Sequence, residues 1–110
     1  MSPTSIRVSI VIPVYAGEQT LPTVLAEIRP LTEQQTTPGG LNFRVCEVIL
    51  VHDCGPDRSD AVLEQIALTC PFARIVWLSR NYGQHAATMA GMASATGDWV
   101  VTIDEDGHQN

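Results

Sequence analysis

Asp104, Glu105 and Asp106 stand directly behind the apolar run Trp99-Val100-Val101-Thr102-Ile103. Three carboxylates at a strand end, with no lysine or arginine nearby in sequence, are costly unless solvent or a cation stabilises them. A hard divalent cation that also grips a diphosphate meets that need. This points to a site for a nucleoside diphosphate sugar. In an extended segment Asp104 and Asp106 share a side while Glu105 points away. The pair can then share one metal, or divide metal and ribose between them. Mg²⁺ or Mn²⁺ would take one or two such carboxylates, keep several waters and complete its shell with phosphate oxygens. Alone, D-x-D is equally a solvated acidic turn; its place behind the fourth strand of an alternating pattern gives it weight.

Other groups follow the ends of apolar runs. Asp53 can accept a hydrogen bond from a nucleobase N–H, or serve as a turn or N-cap aspartate. Tyr15 can flank a base or ribose, and Glu18 can bind ribose hydroxyls or simply favour a helix dipole. Arg80 can pair with phosphate or with Asp104 and Asp106, or lie on the surface beside a helix cap at Asn81. Gly83 permits a close backbone approach. His85 is a base or a structural helix residue. His52 reads as a packing or hydrogen-bonding contact, and His108 could approach the metal site.

The elements that must position these groups alternate. Val8 to Ile12 is a β-branched run stopped by Pro13 and reads as a buried strand. Thr20 caps a helix with Leu21, Val24, Leu25 and Ile28 on one face, ended by Pro30. Thr32 to Asn42 is polar, holds Pro38-Gly39-Gly40 and reads as a surface loop. Val45 to Val51 is a second buried strand, followed by a turn at Asp53 to Asp57. Asp57 or Ser59 caps a second helix, with Val62, Ile66 and Leu63 inward, ending near Cys70-Pro71. Arg74 to Leu78 is a third strand. Asn81 to Ala95 is a third helix, made slim by Ala86, Ala87, Ala90, Gly91 and Ala93 and ended by Gly97. Trp99 to Ile103 is the fourth strand, read as buried like the others. This β-α-β-α-β-α-β order predicts a Rossmann-like α/β/α fold with a mainly parallel four-stranded sheet and right-handed crossovers. Ligands of such sheets sit beyond the carboxyl ends of the strands, so Pro13 to Tyr15, Asp53, Ser79 to Asn81 and Asp104 to Asp106 should converge on one rim.

Composition narrows the classes. A chain of 110 residues is one domain at most. Net charge is −6 and all six basic residues are arginine, with no basic stripe, which argues against nucleic acid. An acidic protein needs a metal, backbone N–H groups or a helix N-terminus to hold phosphates. Cys46, Cys54 and Cys70 lack C-x-x-C spacing, which fits reduced thiols in a cytosolic compartment. There is no signal-peptide pattern and no apolar stretch of membrane-spanning length. The segment Pro13 to Glu18 has neither the basic glycine-rich loop of a nucleotidyltransferase nor the G-x-G-x-x-G of a dinucleotide-binding dehydrogenase.

At these residues the chain resembles the family-2 glycosyltransferases of GT-A fold, and within them the bacterial polyprenyl-phosphate (dolichyl-phosphate-like) sugar transferases. Val11-Ile12-Pro13-Val14-Tyr15 with Glu18 and Leu21 is similar to their opening strand and helix. Val48 to Asp57 is similar to their acidic turn. Ser79-Arg80-Asn81-Tyr82-Gly83-Gln84-His85 with Ala90-Gly91 and Gly97-Asp98 resembles the subgroup closely, and Asp104-Glu105-Asp106 falls where they carry D-x-D. Departures exist: Ala16 replaces a usual asparagine, His52 the first acid of the turn and Cys54 a small glycine. Gly107-His108-Gln109 runs one residue longer than the usual Leu-Gln continuation.

The resemblance implies an inverting transferase that moves a sugar from a nucleoside diphosphate, UDP first and GDP second, to an isoprenoid phosphate. It implies Mg²⁺ or Mn²⁺ as cofactor, Asp106 and Asp104 as metal ligands and catalytic acids, and Pro13, Tyr15, Glu18, Asp53, Arg80, Asn81 and Asp104 as the nucleotide set. It also implies further strands, an acceptor loop, a catalytic base and often membrane helices after residue 110. The expectation is therefore a nucleotide-sugar-binding half, shortened after D-x-D and of little activity alone. The full-length protein would lie at the cytoplasmic face of the membrane. An exposed sheet edge in such a half invites self-association as a homodimer. The competing expectation is a non-catalytic nucleotide-binding module or remnant.

Overall fold

A computed structural model describes residues 5–14, 20–52, 59–78 and 84–103. Among these residues five strands and three α-helices follow one another: β1 (Ile6–Val14), α1 (Leu21–Ile28, extended by a 3-10 turn over Arg29–Thr32), β2 (Gln35–Thr36), β3 (Asn42–His52), α2 (Ser59–Thr69), β4 (Ala73–Trp77), α3 (Gln84–Ser94) and β5 (Trp99–Thr102). β1 pairs in parallel with β3 on one side and β5 on the other, and β4 pairs in parallel with β3. The four long strands thus run β4-β3-β1-β5. The chain winds outward from β1 to β3 and β4, then returns across the sheet to β5.

The faces follow from burial. Val8, Ile10, Ile12 and Val14 of β1 pack with Val45, Val48 and Leu50 of β3 against Leu21, Val24, Leu25 and Ile28 of α1 and Leu63 and Ile66 of α2. The opposite face carries Val11, Ile49 and Val51 under Ala87 of α3. Helices α1 and α2 therefore cover one face and α3 the other. The α1 spacing delivers the four inward residues expected from the sequence. Thr20 sits at its N-cap with its carbonyl accepting the Val24 N–H at 3.1 Å, and Pro22 occupies the first turn, where a missing N–H costs nothing. In α2, Leu63 is the most deeply buried of the expected residues, at 0% exposure.

Four expectations need correction. Pro13 does not stop β1, which continues through it to Val14. Val11 accepts the Ile103 N–H at 3.1 Å, so its backbone groups face β5. Two residues on, Pro13 faces the same side, and the last β1–β5 register pair is Val11 with Thr102. The absent N–H thus falls beyond the paired stretch, where proline is tolerated. The segment Thr32 to Asn42 is not wholly loop. It contains β2, which pairs antiparallel with Asn42 and Phe43 through a turn closed by Gly40 at φ 88°. Two polar residues are too few to show an alternation. Helix α3 ends at Ser94, one residue short of the expected Ala95. Finally, β5 is not buried: Trp99 is 56% and Val100 37% exposed, because β5 ends the strand order.

Two glycines mark close approaches. A Cβ on Gly91 would lie 2.4 Å from Val11 Cγ1 and 3.0 Å from Val51 Cγ2, so α3 rests directly on the sheet. A Cβ on Gly97 would meet Ser9 Oγ at 2.6 Å and the Arg7 carbonyl at 2.9 Å.

Beneath α3 lies a buried carboxylate. The β1–β3 register slips between Val8 and Ser9: Val8 faces Val45 but Ser9 faces Glu47, leaving Cys46 as an extra residue in β3. A one-residue slip moves every following side chain to the other face. Without it Glu47 would share the apolar face of Val45. With it, Glu47 joins Ile49 and Val51 under α3. Its Oε2 accepts Ser9 Oγ at 2.7 Å, the Thr96 N–H at 2.7 Å and Thr96 Oγ1 at 3.0 Å. Its Oε1 pairs with the Arg74 guanidinium, which also donates to the Ser94 carbonyl at 3.1 Å. Burial alone would push this carboxyl up. The hydrogen bonds from Ser9, Thr96 and Arg74 outweigh it and hold the pKa at about 2. The more exposed pair Arg7–Asp98, 3.7 Å apart, adds little.

Gly91→Ala gains up to about 1 kcal/mol of helix propensity but overpacks a site with no room, at about 1–3 kcal/mol. We expect a net loss of about 1–2 kcal/mol in denaturant unfolding. Because the folded pKa of Glu47 is depressed from 4.5 to about 2, its charge stabilises the fold fully above about pH 4.5. That contribution fades as pH falls toward about 2 and is on the order of 3 kcal/mol. Unfolding free energies of wild type and Glu47→Gln should therefore differ near neutrality and converge through this window. A gap independent of pH would show that the charge contributes nothing.

Candidate functional site

The strands β1, β3, β4 and β5 all run in one direction, so their carboxyl ends share one rim. The register pairs Val14 with His52 and His52 with Trp77, and the Ile103 N–H reaches Val11 O at the end of β5. The strand ends that precede Asp53 and Asp104 flank β1 from its two sides, about 10 Å apart across two strand spacings. The chain winds one way from β1 to β3, over α1, and returns to β5 over α3 on the opposite face. The gap between β1 and β5 is therefore the switch point of the sheet. Open α/β sheets take their ligands in the crevice beyond the strand ends at such a point.

The rim brings together the strand ends that the sequence analysis singled out. Of the named nucleotide and metal residues, Pro13 is described, buried in β1 one residue from its end. Tyr15, Glu18, Asp53, Arg80, Asn81, Asp104 and Asp106 lie outside the described residues, as does His108. His52, the last residue of β3, makes the expected packing contact. Its ring lies 5.0 Å from that of Trp77, tilted by 53°, and the Leu78 N–H closes the rim on the His52 carbonyl at 3.0 Å. His85 is exposed in the first turn of α3.

Among the described residues no three histidine, cysteine or acidic side chains cluster as a metal would need. The only strand end at the switch point that leads straight into paired carboxylates is that of β5, and carboxylate oxygens suit a hard divalent cation. The donor chemistry at 104–106 therefore fits Mg²⁺ or Mn²⁺. A groove of about 490 Å³ does exist between α1 and α2, lined by Pro22, Leu25, Arg29, Val62, Ile66 and Cys70. It is mainly apolar and belongs to the helical layer, not to the rim. No helix among the described residues is long and apolar enough to cross a membrane.

The role of Glu47 is not legible in the sequence. Nothing in the run Val45-Cys46-Glu47-Val48 distinguishes a buried acid from one on a strand's solvent side, because the extra residue Cys46 breaks the alternation.

Residues 9–108 match the profile of glycosyl transferase family 2. Among curated proteins, the chain is 43% identical over 109 residues to an undecaprenyl-phosphate 4-deoxy-4-formamido-L-arabinose transferase of Pseudomonas syringae, covering 96% of this chain and 30% of the relative. It is 41% identical over 103 residues to the transferase of the same description from Serratia proteamaculans, covering 91% of this chain and 29% of that one. The chain thus spans about three tenths of the length of these relatives. Among solved structures, the mannosyltransferase PcManGT of Pyrobaculum calidifontis, in complex with GDP-Man and Mn²⁺, superposes with a TM-score of 0.72 at 25% identity, over 94% of this chain and 28% of that chain. TarS of S. aureus shares the fold, with a TM-score of 0.67 at 22% identity over 92% of this chain and 28% of that chain. The doubly wound sheet described above is thus a portion of a GT-A fold, and the chain belongs to glycosyl transferase family 2.

Proposed function

We propose that this chain is the nucleotide-sugar-binding half of an inverting glycosyltransferase that passes a sugar to a polyprenyl phosphate. The observation that carries the reading is the position of β5: its carboxyl end stands beside β1 at the switch point and leads into Asp104-Glu105-Asp106. The 43% identity to an undecaprenyl-phosphate sugar transferase supports a polyprenyl-phosphate acceptor, and the likeness to a mannosyltransferase holding GDP-Man and Mn²⁺ supports a nucleotide sugar with a divalent metal.

In this reading Asp106 holds the cation, and Asp104 holds the cation or the ribose. A bound Mg²⁺ or Mn²⁺ supplies Lewis acidity that offsets charge gathering on the diphosphate. Asp53, as an ionised carboxylate, accepts a hydrogen bond from a base N–H. Tyr15 and Glu18 line the ribose, Pro13 shapes the pocket floor from within β1, and Arg80 and Asn81 meet the phosphates. The acceptor is an ionised phosphate at neutral pH, so its oxygen can attack the anomeric carbon with inversion, breaking the bond to the diphosphate oxygen and releasing the nucleoside diphosphate, and needs little help from a protein base. Acceptor binding belongs to the remainder of the relatives' length, so the isolated chain is expected to bind donor and turn it over slowly.

Calorimetric titration with UDP and GDP, each with and without Mn²⁺, tests this. UDP should bind about tenfold or more tightly with Mn²⁺, a gain of ~1.4 kcal/mol or more, and Asp106→Asn should abolish the gain. Equal binding without metal would favour a generic nucleotide module. Binding of neither nucleotide would overturn the reading.

A further inference from the structure

The groups around Glu47 meet at the amino end of the sheet, opposite the rim, and their bonds converge on a short stretch of chain. Glu47 takes both the N–H and the hydroxyl of Thr96. Ser9, which donates to Glu47, accepts the Gly97 N–H at 2.9 Å. Arg74 bridges Glu47 to the Ser94 carbonyl at the end of α3. Residues from β1, β3 and β4 thus fasten Ser94, Thr96 and Gly97, the connection that feeds β5. Gly97 cannot shift toward the sheet, since even a Cβ there would strike Ser9 and the Arg7 carbonyl. Immediately afterwards the Asp98 N–H bonds to Arg7 O at 2.7 Å and β5 begins.

β5 has four residues, about 13 Å of strand, and it is held by a neighbour on one side among the described residues. Trp99 and Val100, on its two faces, are exposed, and Val101 and Ile103 are only partly buried against the core, so side-chain burial fixes its register weakly. Where β5 starts along β1 therefore decides where its far end delivers Asp104 and Asp106. A slip of one residue would move the pair by about 3.3 Å and reverse the side each acid faces.

We infer that Glu47 is a positioning residue: by anchoring Thr96, and Gly97 through Ser9, it fixes the start of β5 and so the placement of the acidic pair at the far end. This rests on the preceding reading for the acids' role, while the anchoring itself does not. Glu47→Leu removes all acceptors at similar volume, and Glu47→Gln keeps one oxygen for Thr96 and Ser9. Ser9→Ala, which cuts the link to Gly97 and one hydrogen bond to Glu47 but leaves those from Thr96 and Arg74, replaces the leucine variant should that variant fail to fold.

Amide hydrogen exchange is read at Asp98 and Ile103, which bond to β1, against Leu78, which bonds to β3. In Glu47→Leu the first two should exchange about tenfold faster or more, a local change of ~1.4 kcal/mol, with Leu78 little altered, and Glu47→Gln should restore most of the protection. The Mn²⁺-dependent gain in UDP affinity should shrink about tenfold in the leucine variant while metal-free UDP affinity stays unchanged. Uniform acceleration at all three amides would overturn the inference, since Glu47 would then serve the sheet as a whole. Selective acceleration with an unchanged Mn²⁺ gain would overturn it too. Should the wild type show no Mn²⁺-dependent UDP binding, the preceding reading falls, and the exchange pattern alone then decides for or against the anchor.

Discussion

A carboxylate that enters a protein interior keeps its charge only where several donors replace the water it lost. Glu47 meets that condition with three side chains and a backbone N–H drawn from β1, β4 and the α3–β5 connection. None of these elements is close to Glu47 in sequence, so they can gather only when the strand order is complete. The acid is thereby a checkpoint on assembly: it is stabilised in one arrangement of four segments and left with an uncompensated charge in the others. The hydrophobic layers on either face are non-directional and would tolerate small slides of one strand past another. Directed hydrogen bonds do not.

The same logic separates the two ends of the sheet. At the amino end the groups around Glu47 satisfy one another and are locked by the close contacts of Gly97. At the carboxyl end the strands stop at staggered heights, Val14 and His52 reaching beyond the last β1–β5 pair. A doubly wound sheet needs both: a rigid base to set the strand positions, and an open rim where the crevice between outward and returning strands can receive a ligand. Membership of glycosyl transferase family 2 gives that rim a chemical context.

Much of this was legible in the residues themselves, for identifiable reasons. The 3–4 spacing of Leu21, Val24, Leu25 and Ile28 admits a single buried helical face. The small residues of α3 announce close packing, and Gly91 sits against Val11 and Val51 as that required. The alternation of apolar strands with helices forces parallel pairing and therefore a common rim. What escaped was non-local or too short. β2 has two polar residues and exists through Gly40 and the edge of β3. The inward turn of Glu47 depends on an unpaired Cys46, which has no signature in a single strand. The exposure of Trp99 and Val100 depends on the strand order, which residue types alone do not reveal. The acidic pair was found by its position after a strand, whereas the side chains of 104–106 and of Asp53 lie outside the described residues.

Pro13 has a consequence at the seam between β1 and β5. Parallel strands zip together by alternate donation, and the next tooth after Val11 would be an N–H from residue 13 to the carbonyl of Ile103. A pyrrolidine ring has none to give. Among the described residues the zipper therefore halts at one defined pair, Val11 with Thr102, and the covalent chemistry of one side chain denies β1 the donor that would carry it further into the mouth of the crevice.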